Sequence, residues 1–90
     1  MTLIIRAARA SYAGIRAAVG ASTFTPDERR AVEIYLMVTA CNLPGAVVGK
    51  AAGCSKQNVS KLLRAVEDRR EQADYDRRLS ALEAVFEGSF

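Results

Sequence analysis

Apolar residues recur at helical spacing along most of the chain, and no stretch alternates as a half-buried strand would. In the first segment Ile4, Ala8, Tyr12, Ile15 and Val19 share one face, with Arg6, Arg9 and Arg16 expected on the far side. Thr2 is read as its cap and Gly20 as its stop. Thr25-Pro26-Asp27-Glu28 then spells a helix start: a threonine to accept from an orphan amide, a proline suited to the first turn, and a glutamate to complete a capping box. The second helix should bury Ala31, Ile34, Tyr35 and Val38 and leave Arg29, Arg30 and Glu33 wetter. Asn42 and Pro44 interrupt that period, so a short third helix is predicted from Pro44 to Ala52. Gly53 follows where a left-handed backbone is wanted, and Ser55 caps a fourth helix through Val59, Leu62, Leu63 and Val66. Asp74 is expected to cap a fifth, with Leu79, Leu82, Val85 and Phe86 as its apolar stripe before Gly88. The predicted fold is all-α, a compact bundle of about five helices over a single domain, 1–90, with an N-terminal amphipathic helix at 1–20 and a core at 25–87.

Half of the residues are hydrophobic, enough for one modest core. No apolar run approaches the roughly 18 residues of a membrane span, so a cytoplasmic protein is expected. Cys41 and Cys54 sit among small apolar residues and no histidine is present, which favours two buried free thiols over a metal site or a disulfide. The net charge of +3 matters less than its distribution. No acid falls between Glu33 and Glu67, whereas Lys50, Lys56, Lys61 and Arg64 all do; the segment 65–90 carries seven acids against four arginines.

That acid-free middle coincides with a second pattern. Two helices cross steeply only when the turn is tight and the facing residues are small or branched. Gly49 allows close approach, and Val48, Ala52, Cys54, Val59 and Leu62 supply the contact, so a helix-turn-helix is expected from about Leu43 to Arg70. The residues left over on the fourth helix are donors and acceptors. Gln57, Asn58, Ser60 and Lys61 are the candidates for base edges in a major groove; Lys50, Ser55, Lys56, Arg64, Arg29 and Arg30 are the candidates for phosphates.

Other chemistries fit poorly. Gly45 to Lys50 has one residue fewer between its glycines than a phosphate-binding loop needs, and Ala51 stands where a magnesium-binding hydroxyl would be. Without histidine, and with carboxylates confined to Arg-rich helical stretches, no enzyme, cofactor or metal site is expected. Tyr12, Phe24, Tyr35 and Phe86 lie at apolar helix positions, which suits core packing better than base stacking.

Arg30-Ala31-Val32-Glu33-Ile34-Tyr35-Leu36, Leu43-Pro44, the run from Gly53 to Val59, Val66-Glu67-Asp68-Arg69-Arg70, Asp76-Arg77-Arg78-Leu79 and Leu82-Glu83 together give a resemblance. From about Thr25 to Phe86 the chain resembles the C-terminal, Trp-repressor-like DNA-binding domain of the bacterial replication initiator DnaA and its short helix-turn-helix relatives. The initiators read their box with an Arg-Asp-His-Thr-Thr run; here Cys54-Ser55-Lys56-Gln57-Asn58 stands instead, so that sequence preference does not carry over. The initiator's ATPase module has no counterpart in this sequence. The resemblance therefore implies transcription, as in the DnaA-like activators of gene transfer agent genes, where such a domain works with a sigma-like region touching RNA polymerase. Nothing after Arg78 is long enough to be that region, so a separate protein partner linking to the polymerase is expected, docked on the N-terminal helix or on the stretch from Leu79 to Phe86. Self-association is the other way to reinforce so small a module. The expected function is a sequence-specific regulator of transcription that binds double-stranded DNA; the alternatives are an origin-binding modulator and a protein-interaction module that does not bind DNA.

Overall fold

The computed structural model describes residues 2–87, and of Thr2 and Glu87 the backbone only. The expected cap at the Thr2 side chain and the stop at Gly88 lie outside the described residues. Five helices follow one another: α1 (Thr2–Gly20), α2 (Pro26–Thr39), α3 (Gly45–Ala52), α4 (Lys56–Arg69) and α5 (Ala73–Glu87). Among the described residues there is no strand.

Local chemistry sets most of these boundaries. The Glu28 carboxylate accepts the backbone N–H of Thr25 at 2.9 Å and its hydroxyl at 3.1 Å, closing a capping box over the first turn of α2. Pro44 is the N-cap of α3 rather than its first helical residue, and the left-handed backbone at Asn42, φ 54°, turns the chain into it. Gly53 ends α3 at φ 76°, and the Ser55 hydroxyl accepts from the Asn58 amide at 3.1 Å to start α4. α5 departs from expectation. Helical bonding already runs from the Asp76 amide to the Gln72 carbonyl, so Asp74 sits inside the first turn and pairs with Arg77 and Arg78 instead of capping.

α2 is the centre of the molecule. α1 and α4 both pack against it and against α3, so Val32, Glu33, Ile34, Tyr35, Leu36 and Met37 are buried in an unbroken run. A helix covered on more than one side keeps little of its surface wet, which is why Glu33, expected in solvent, is only 8% exposed, while Arg30 stays exposed as expected. α1 contributes Ala8, Ile15 and Val19 to the core; Ile4, one turn earlier, is 51% exposed because the core contacts start only at Ala8. α1 thus packs into the same core as α2 and α3.

α5 approaches the other helix backbones less closely and is attached by side chains. Tyr75 meets Phe24 edge to face with ring centroids 5.2 Å apart, and Tyr75, Leu79, Leu82 and Phe86 form its inner stripe. Val85, one residue off that stripe, is 59% exposed. Arg70, just past α4, ties α5 to α2: its guanidinium donates to the Tyr35 hydroxyl at 3.0 Å, to Asp76, to Ser80 and to Glu83. Both cysteines are free and half-buried rather than fully enclosed, and burial pushes the Cys41 thiol above its ordinary value.

Candidate nucleic-acid interface

The turn between α3 and α4 is held by a close approach of backbone to backbone. A Cβ on Gly49 would stand 2.6 Å from the Cys54 carbonyl oxygen, and the Cys54 amide donates to the Gly49 carbonyl at 2.8 Å. Only glycine fits there. Val48 and Val59 fill the angle between the two helices, with Ala52, Cys54 and Leu62 partly buried around them.

With its apolar side fixed in this way, α4 turns its polar residues outward. Ser55, Lys56, Gln57, Ser60, Lys61 and Arg64 are exposed, and Asn58 is half-buried beside the cap. Among the described residues no ion pair or side-chain hydrogen bond occupies Lys56, Gln57, Ser60, Lys61 or Arg64. The charge order along α4 is unfavourable for the helix itself. Its first turn holds Lys56 and no acid while Glu67 and Asp68 lie near its end, opposite to the arrangement that the helix dipole favours. Cations added to the positive end of a dipole do, however, deepen its attraction for an anion.

The remaining candidates gather elsewhere. Arg29 and Arg30 of α2 and Lys50 of α3 line a groove of about 630 Å³ whose other walls include Arg9, Tyr12 and Arg16 of α1 and the residues from Ala51 to Gly53. Arg29 is fixed by Nε donating to the Phe24 carbonyl at 3.1 Å, and Arg30 by a terminal nitrogen donating to the Ala52 carbonyl at 3.2 Å. Arg9 and Arg16 do not lie on the far side of α1. Each follows a core residue, Ala8 or Ile15, by one position, and a step of about 100° around a helix puts it on the rim of the packed face. On the groove floor the Tyr12 hydroxyl donates to Glu33 at 3.3 Å; burial and the neighbouring carboxylate raise the Tyr12 pKa above its ordinary value. The signal that could have found this site is the spacing Arg9-Tyr12-Arg16, which shares a helical face.

The C-terminal arginines behave differently. Every ion pair among the described residues involves Arg69, Arg70, Arg77 or Arg78, with Glu28, Asp74, Asp76 and Glu83 as partners. The cations of α5 and its junction are thereby matched within the fold, while those of α1, α3 and the start of α4 are not. Comparison with protein-family models, with curated proteins and with solved structures gave no match.

Proposed function

We propose that this chain is a sequence-specific double-stranded DNA-binding regulator of transcription in which α3 and α4 act as a helix-turn-helix. The observation that carries the reading is the outer surface of the first turns of α4, where amide, hydroxyl and ammonium groups stand exposed without carboxylate partners. Gln57 and Asn58 suit bidentate bonds to adenine, Lys61 suits guanine, and Ser60 can donate to either. Lys56, Arg64, Lys50 and the Ser55 end of α4 hold phosphates beside it, with Arg29 and Arg30 farther along. A domain of this size buries only about 600–1,000 Å² of protein surface on DNA, so a protein partner or a second copy adds the remaining affinity. Leu3 and Ile4, 78% and 51% exposed, are the apolar surface at the start of α1 on which a partner would sit.

The test is selection of duplexes from a random pool by the purified chain. An enriched motif is expected, with Gln57→Ala and Asn58→Ala each costing about 1–3 kcal/mol of discrimination at one position. Lys50→Ala should weaken binding to every sequence alike and lower the salt slope by about one unit. Flat enrichment, or discrimination untouched in both α4 variants, would overturn the assignment.

A further inference from the structure

We infer that the groove between α1, α2 and α3 holds phosphate groups of the DNA backbone flanking the bases met by α4, with Arg9 and Arg16 as its outer wall. This rests on the duplex-binding reading above and adds a third helix to it.

Five cations, Arg9, Arg16, Arg29, Arg30 and Lys50, converge on this groove from three helices, and among the described residues none of them has a carboxylate ion-pair partner. The one acid in the lining, Glu33, is buried on the floor and accepts the Tyr12 hydroxyl. Like charges gathered at close quarters repel, and a fold with acids to spare elsewhere has not neutralised them here. An external anion would.

The guanidinium groups are also positioned in advance. Arg29 and Arg30 are tethered to main-chain carbonyls through one nitrogen each, which leaves their other N–H groups to donate, and Arg16 lies 5.7 Å from the centroid of the Tyr12 ring. Groups already held in place lose less freedom when a phosphate arrives. Two features favour a polymer's phosphates over one compact anion. The groove is open to solvent rather than closed, so that a strand can lie along it. The trough is also continuous with the α4 surface, because Lys50, Ala51, Ala52 and Gly53 form both its wall and the turn leading to Ser55.

The experiment uses the double variant Arg9→Gln, Arg16→Gln in the full chain. Both side chains are exposed and glutamine keeps helix propensity, so folding should be retained and is checked by urea unfolding. Binding is measured against salt on the selected duplex and on versions trimmed toward the bases met by α4. Wild type should gain affinity from the flanks; the variant should lose that gain, lower its salt slope by about two units and keep the same preference among sequences. If wild type selects a sequence but the variant keeps its slope and its dependence on flank length, the groove assignment alone fails. If wild type binds no duplex at low salt, both readings fail. A competition arm with inorganic tripolyphosphate separates the sources: arginine-dependent tripolyphosphate binding with no effect of flank length makes this a small-anion site and overturns the proposal.

Discussion

Gly49 and Gly53 are both glycines of the α3–α4 turn, but they are required for different reasons. Gly53 adopts φ 76°, and a Cβ there would meet nothing within 4 Å. Alanine at Gly53 therefore costs only the left-handed conformation, about 1–2 kcal/mol. At Gly49 the obstacle is a carbonyl oxygen of the main chain at 2.6 Å, which cannot rotate away as a flexible side chain could. Gly49→Ala should destabilise by about 3 kcal/mol in urea unfolding, more than Gly53→Ala despite alanine's better helix propensity, and should re-aim α4. Equal losses for the two variants would mean that the close contact at Gly49 is not what fixes the turn.

Between elements, two charged residues tie α2 to the C-terminal helices. Glu28 caps α2 and faces Arg69 of α4 at 3.3 Å and Arg78 of α5 at 3.8 Å. The backbone N–H of Thr25, first, and then its hydroxyl and the two arginines hold this carboxyl below its ordinary value of 4.5. A carboxyl lowered in the fold adds stability that is present above the unfolded value and is lost as pH falls through the folded one. Thermal unfolding should therefore show stability declining below about pH 5, and Glu28→Gln, which can still accept from Thr25, should flatten that decline. Arg70 is the second joint. Its hydrogen bonds to Glu83 and Asp76 and to the Tyr35 hydroxyl raise its pKa further, so it stays charged throughout. Lysine cannot reproduce a fork that reaches four groups on two helices. Arg70→Lys should cost about 2 kcal/mol and speed hydrogen exchange in α5 before the rest of the chain.

For the molecule as a whole, the division is between a C-terminal part whose arginines are ion-paired within the fold and a larger part whose cations have no ion-pair partner among the described residues. α1 belongs to the second part and is no detached arm, because Ile15 and Val19 lie in the same core as Val32, Leu36 and Val48. Ile15→Ala should consequently lower global stability by about 2–4 kcal/mol, with all helices melting together in circular dichroism. Loss of helix signal confined to α1 would show it to be an independent appendage and would remove the rigid wall on which the flanking-phosphate site depends.

What the sequence determined by itself was most of what is carried by neighbours along the chain, the start of α5 excepted. The Thr25–Glu28 box, the left-handed Gly53 and the Ser55 cap each need only a few successive residues, so their chemistry could be read directly and all three are present. The outward group on α4 was legible for the same reason, since helical spacing separates it from Val59 and Val66. Tertiary structure decided the rest. Periodicity predicts that a helix has an inner side, but not how many other helices will cover it; α2 is met by α1, α3 and α4, and Glu33 goes inside with them. The same limit applied to Arg9 and Arg16, whose place on a groove depends on where α2 and α3 lie, and to Tyr75, which Phe24 meets from the distant junction of α1 and α2. Burial is a property of what arrives from elsewhere, and no run of successive residues contains it.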